Sequence, residues 1–207
     1  MKRAVLITIG VIAVVAIAYV YPATTFSIDE GWWIVRYSDQ YDIETAKLLQ
    51  AQYGATILDI EGDDDFNTFG QSFIFIGGSK AFSELAPWAE EWPPDLILTK
   101  PTTHPNVRII IYTWDTAYIE TPKGDFEMAD GDYGLITRSY DVQLRRWIVL
   151  CIGWSAECTA AGARIIAMQP DLLKQHSWIV YEWQGGAVAP SEWTLQAFSN
   201  YEIIESG

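Results

Sequence analysis

The stretch Trp147-Ile148-Val149-Leu150-Cys151-Ile152-Gly153-Trp154-Ser155, leading directly into Ala156–Met168, decides the fold. An uninterrupted apolar run from Trp147 to Ile152, closed by glycine, is the signature of a strand buried on both faces. The following residues repeat apolar side chains at helical spacing as far as Met168 and are stopped by Pro170. The segment therefore predicts strand, tight turn and helix. Ser155 stands where a helix cap belongs, and Glu157 falls at the positive end of the helix dipole.

Towards the amino end the same rhythm recurs. Gly31–Tyr37 is aromatic and β-branched and reads as a strand; Ile43–Tyr53 has helical spacing, with Asp42 as its cap and Gly54 as its end; Ala55–Ile60 returns to strand. A β-α-β unit of this kind generates parallel pairing through a right-handed crossover. Ser72–Ile76, bounded by Gly77-Gly78, precedes a predicted helix over Ser79–Glu91. In the middle, Asp95–Thr99 and Val107–Tyr118 read as strands, and Ala117–Thr121 runs into a turn at Pro122-Lys123-Gly124, an excursion or edge hairpin. Asp132–Ile136 opens a short strand, and the charged Arg138–Arg146 reads as a connection. Beyond the central helix come a polar helix or turn at Asp171–Gln175, a strand at Trp178–Trp183, a short helix at Ser191–Phe198 and a last strand at Tyr201–Ile204. The expected fold class is α/β: a mostly parallel central sheet with helices on both faces, preceded by an N-terminal hydrophobic helix.

That leading segment bears on location. Lys2 and Arg3 precede an uncharged, largely apolar run from Ala4 to Tyr21. As a helix at about 1.5 Å per residue it would reach roughly 27 Å, close to the ~30 Å of a bilayer hydrocarbon core. Positive charge at its start favours retaining that end in the cytoplasm and sending everything after Pro22 across. Ala16-Ile17-Ala18 offers the small-x-small pattern of a cleaved signal. Tyr19, Tyr21 and Pro22 suit an interfacial belt and a helix stop. Both readings stay open: residues 1–22 as signal anchor or signal peptide, and residues 23–207 as an extracytoplasmic domain at the cell membrane or cell surface. The partners expected are the membrane through residues 4–21, or further copies of the chain through the same helix, together with other envelope proteins. A net charge of -14 opposes nucleic acid, whose phosphates need clustered Lys and Arg. Ten Trp and eleven Tyr supply core and contact surface.

Three landmarks occur in order: a strand ending in Gly77-Gly78-Ser79, the segment Asp132-Tyr133-Gly134-Leu135-Ile136, and a strand passing through Gly153-Trp154 into Thr159-Ala160-Ala161. As an ordered set over about residues 72–168 they resemble the archaeal S-layer and S-layer-like envelope proteins. Those carry a strand-Gly-Gly-Pro-x-Ala-Asn turn, a Gly-x-Ile segment and a strand-Ala-Gly-x-x-x-x-Thr-x-x-Ala helix start. Ser79 departs from the proline usual there, and the following asparagine is missing. The resemblance implies a non-enzymatic structural or interaction role in the cell envelope. On physical grounds, Gly77, Gly78, Ser79, Gly153, Trp154 and Ser155 are turn or ligand candidates. Two strand-to-helix junctions side by side would place helix amino ends at the carboxyl edge of the sheet, where an anion or carbohydrate could sit.

Three further chemistries were weighed. Strand, Trp154, Ser155 and helix imitate a nucleophile elbow, but Glu157 occupies the position that must be glycine. His176 lies only five residues after Asp171, too close for separate triad loops. Ser155 is better read as a helix cap, and no catalytic residue is assigned. Asp59, Glu61, Asp63, Asp64 and Asp65 around Gly62, and Asp125, Glu127, Asp130 and Asp132 around Gly131, offer carboxylates without EF-hand spacing. Calcium at the first group is the single metal considered, and exposed acidic loops are the alternative. Cys151 and Cys158 suit a disulfide in an exported domain or two buried thiols. Besides the envelope role, three readings follow: a pilus-like filament subunit with its N-terminal helix in the assembly core, an extracytoplasmic ligand-binding module, and, least supported, a serine hydrolase.

Overall fold

The computed structural model describes residues 26–29, 31–37, 40–60, 72–78, 108–113, 116–141 and 146–207. The leader, the Glu61–Asp65 cluster, the Ser79–Glu91 helix and the Asp95–Thr99 strand lie outside them. No helix among the described residues is long and apolar enough to cross a membrane.

Seven strands form the main sheet: β1 (Trp33–Tyr37), β2 (Thr56–Ile60), β3 (Phe73–Gly78), β7 (Tyr133–Asp141), β8 (Arg146–Gly153), β9 (Trp178–Trp183) and β10 (Tyr201–Ser206), in the order β10-β9-β7-β8-β3-β1-β2. A second sheet is built from β4 (Arg108–Thr113), β5 (Thr116–Thr121) and β6 (Gly124–Glu127). The helices are α1 (Gln40–Tyr53), α2 (Ala156–Met168) and the short α3 (Pro170–Gln175).

The expected α/β class is overturned: the described residues are mostly β, a seven-stranded mixed sheet and a three-stranded sheet with three α-helices, and two features of the expected layout change with it. The sheet is mixed rather than mostly parallel: β2, β1, β3 and β8 pair parallel, whereas β7 is antiparallel to both β8 and β9, and β10 is antiparallel to β9. The stretch Arg138–Arg146 is the reason. Instead of a connection it contributes the end of β7 and the start of β8, in register from Gly134↔Gly153 to Asp141↔Arg146. A link as short as residues 142–145 can join only antiparallel neighbours, since parallel ones need a long crossover. Secondly, the described helices cover one face instead of two. α1 and α2 pack on each other and on the face carrying Ile34, Ile74, Ile76, Ile136, Val149 and Ile179. The opposite face, with Val35, Phe73, Phe75, Leu135, Leu150 and Val180, meets Ile119 of β5 and Phe126 of β6. Helical spacing reports that a helix has an apolar side, but not which side of the sheet will receive it.

Several local expectations are met. β1, α1 and β2 form the parallel β-α-β unit, and β8 is buried on both faces, as its unbroken apolar run requires. Val107–Tyr118 resolves into two antiparallel strands, β4 and β5. Ser191–Phe198 holds only a 3-10 turn, Pro190–Glu192, followed by turns. α1 begins ahead of the expected cap: Asp42 is buried within its first turn. Gly54 ends α1 with φ 67°, a left-handed conformation that glycine adopts at little cost.

One long-range hydrogen bond joins the helices. Pro170 has no N–H to give the Ile166 carbonyl one helical turn back, and the Tyr53 hydroxyl donates to that carbonyl at 2.6 Å. Burial pushes the Tyr53 phenol up to about 12, so the donor is protonated throughout the physiological range. Tyr53→Phe is expected to cost about 1–2 kcal/mol, the usual penalty for leaving a sheltered carbonyl without its donor. Urea unfolding, with an unchanged slope and a lowered midpoint, checks this.

Candidate functional site

The landmarks meet at the carboxyl end of β8. β3 and β8 are in parallel register with Gly77 beside Ile152 and Gly78 beside Gly153, so the two glycine junctions lie side by side as the sequence suggests. Ser79 lies outside the described residues. β7 runs in from the other side with Gly134 opposite Gly153. Trp154 is buried, and its backbone N–H donates to the Tyr133 carbonyl at 3.0 Å. Gly153 sits against the first turn of α2: a Cβ there would come within 2.4 Å of the Thr159 nitrogen. Here the lack of a side chain serves the close approach of helix to strand rather than an unusual φ.

Ser155 is the cap of α2. Its Oγ accepts from the Cys158 N–H at 2.9 Å, and its carbonyl accepts from the Thr159 N–H at 3.0 Å. Asp132 completes the junction by accepting from the Ser155 N–H at 3.0 Å through Oδ1 and from the Ser155 hydroxyl through Oδ2. The place where a helix amino end could receive an anion is thus held by the protein's own carboxylate. Burial raises the Asp132 carboxyl above the ordinary aspartate range, opposed by the hydrogen bonds from Ser155 and Cys158, and the nearby Glu157 charge raises it further.

Behind this junction lies a residue that sequence reading passed over as one more strand position. Tyr181 of β9 is fully buried, and its hydroxyl donates to the Cys158 carbonyl at 3.0 Å, with the Ile152 carbonyl at 3.3 Å. Gly134 and Gly162 flank it, and a Cβ at either would come within 2.2 Å of the Tyr181 ring or hydroxyl. A landmark glycine, Gly134, and Gly162 on α2 therefore make room for a single phenol. Burial holds that phenol well above its usual range.

Cys151 and Cys158 are free and buried. Cys158 Sγ donates to the Asp132 carbonyl at 3.3 Å and Cys151 Sγ to the Thr159 carbonyl at 3.6 Å. Burial pushes the Cys151 thiol up to about 12 and Cys158 well above its normal value. Thiols held protonated this way are poor nucleophiles.

The discounted triad partners are far from Ser155. Helix α2 begins at the carboxyl edge of the sheet and descends to Met168; Asp171 and His176 follow it at the opposite edge, just before β9 starts. The length of α2 at ~1.5 Å per residue separates them by roughly 20 Å. Of the second acidic group, Asp125, Glu127 and Asp130 are exposed, while Asp132 is engaged with Ser155. Asp59 is exposed near the end of β2. No group of three or more His, Cys, Asp or Glu able to hold a metal ion occurs among the described residues. No protein-family model matches the chain, and no curated protein matches its sequence.

Two measurements test this geometry. An alkylating reagent should leave the native protein unlabelled and modify both cysteines after unfolding without reductant; labelling of neither in the unfolded chain would reveal a disulfide. The second is pH-dependent. Because the folded state raises the Asp132 pKa above its unfolded value near ~3.9, the folded protein holds the extra proton, and stability from this group is present below that value and lost as pH rises. Stability of the wild type relative to Asp132→Asn should therefore increase as pH falls from 7 to below about 4. A difference independent of pH in chemical unfolding would refute the raised pKa.

Proposed function

We propose that this chain is a non-enzymatic cell-envelope protein, exported by its leading apolar segment, whose acidic domain makes structural and protein–protein contacts outside the cytoplasm in the manner of S-layer-like proteins. The observation that carries this reading is the engagement of Ser155 by Asp132. The one hydroxyl placed like a nucleophile caps α2 and donates to a carboxylate, and that same carboxylate occupies the anion position at the helix end. The buried thiols and the phenol of Tyr181 are likewise spent on backbone carbonyls. Side chains that could carry chemistry are used to hold the junction together, which favours a scaffold presenting an acidic surface.

Location supplies the test. Fractionation of native cells followed by intact-mass measurement should recover the chain in the membrane or envelope fraction. Its mass should correspond either to the full sequence or to a product cut just after the Ala16-Ile17-Ala18 pattern. Full-length chain dissolved in the cytosol would overturn the proposal.

A further inference from the structure

The amino-terminal edge of the sheet, where the chain enters the described fold at Phe26, carries an arrangement unlike the rest of this acidic protein. The Arg138 guanidinium lies 5.1 Å from the centroid of the Phe26 ring and 5.2 Å from that of Trp147. Phe26 and Trp147 meet edge to face at 5.2 Å, and Tyr140 packs edge to face on Trp147 at 5.0 Å. Phe26 is buried and backs the cluster, while Arg138, Tyr140 and Trp147 are each partly exposed. Nε of Arg138 has no hydrogen-bond partner, and its guanidinium forms no ion pair among the described residues. An unpaired arginine is unexpected where the net charge is -14. With its face stacked on rings and Nε buried, the guanidinium keeps its outer Nη edge free, and that edge suits the oxygens of a phosphate.

We propose that this edge, with Arg138 among Phe26, Tyr140 and Trp147, seats on the headgroup layer of an anionic phospholipid membrane, Arg138 taking a lipid phosphate. This rests on the reading that residues 4–21 remain as a membrane anchor. Tyr21 and Phe26 are five residues apart in sequence, which limits their separation to at most ~18 Å of extended chain. If the apolar run ends in the bilayer, the edge bearing Phe26 is the one held against the interface. Its composition suits that layer, where aromatic rings concentrate and cations meet phosphate.

The distribution of carboxylates agrees. Asp130, Asp132, Glu157, Glu182 and Glu202 all lie at the opposite edge, around the end of β8, the end of β9 and the start of β10. On the entry side, Asp171 pairs with Lys174 at 2.9 Å. Asp29 accepts from the Gly31 N–H at 3.0 Å and is the exposed carboxylate nearest Phe26 in sequence. An anionic surface would therefore attract this edge and repel the far one.

The test uses the full chain reconstituted in vesicles of phosphatidylcholine alone or mixed with phosphatidylglycerol, followed by flotation and peptide-resolved hydrogen exchange. The chain should float with both vesicles. Amides of residues 26–32 should exchange about fivefold more slowly in the anionic vesicles, the size of effect one Arg near such a surface supports. Raising the salt concentration should erase that difference in the wild type without any substitution. Arg138→Gln should erase it as well, with flotation retained, whereas Lys47→Gln, which removes an equal charge from α1, should preserve it. A chain that floats but exchanges identically in the two vesicles overturns the docking alone. A chain that does not float overturns the anchor and the docking together.

Discussion

A tyrosine ring set between two glycines holds the centre of this fold. Tyr181 lies under the start of α2, and its hydroxyl reaches the Cys158 carbonyl in the first turn of the helix and the Ile152 carbonyl near the end of β8. A phenol buried this completely must find an acceptor, because an unsatisfied hydroxyl in a dry interior costs as much as several apolar contacts contribute. The ring fits only because neither Gly134 of β7 nor Gly162 of α2 carries a side chain. Three strands and a helix thus share one contact. Gly153 then allows the helix start to approach its own strand, since any Cβ there would strike the Thr159 nitrogen.

From that point the sheet divides into halves of different construction. On one side β8, β3, β1 and β2 are parallel and α1 returns the chain across the helix-covered face. On the other, β7, β9 and β10 are antiparallel to their neighbours. Both halves need the central strands buried twice over, and this explains why β3 and β8 read as unbroken apolar runs. Among the described residues the second face is met by the small sheet, which contributes Ile119 and Phe126 and is tied to β10 by the hydrogen bond from Thr121 to Glu205.

The parts legible in the sequence are those whose signal is local. The apolar run of β8, the cap at Ser155 and the stop at Pro170 specify strand, turn and helix without reference to anything distant. The β7–β8 pairing was hidden because Arg138 reads as a solvated charge, whereas in the fold its guanidinium is stacked between rings. Had that stretch been read as strand, the register from Asp141↔Arg146 to Gly134↔Gly153, continued two residues further, would have set Asp132 opposite Ser155. Asp132 was instead grouped with its neighbours in sequence as one more acidic loop residue. Tyr181 gave no local signal: its place is defined by glycines on two other elements, and their spacing along the chain does not reveal that they meet. Nor does local spacing reveal which face of the sheet a helix will cover, and for this reason α1 and α2 could be expected on opposite sides.

Topology also accounts for the charge asymmetry between the two edges. Since α1 and α2 each follow an ascending strand and descend, both present their amino ends at the carboxyl edge of the sheet. The positive ends of their dipoles stabilise carboxylates there, and Asp42, Glu157 and Asp132 occupy those positions. At the entry edge the helices end instead, with Lys174 in the last turn of α3 and Arg138 on the adjoining strand. Acidic side chains placed at that edge would face the negative helix ends and would gain no dipole stabilisation. The crossover pattern thus favours carboxylates at the carboxyl edge, while the entry edge combines aromatic rings and Arg138 with the exposed Asp29 and the Asp171–Lys174 pair.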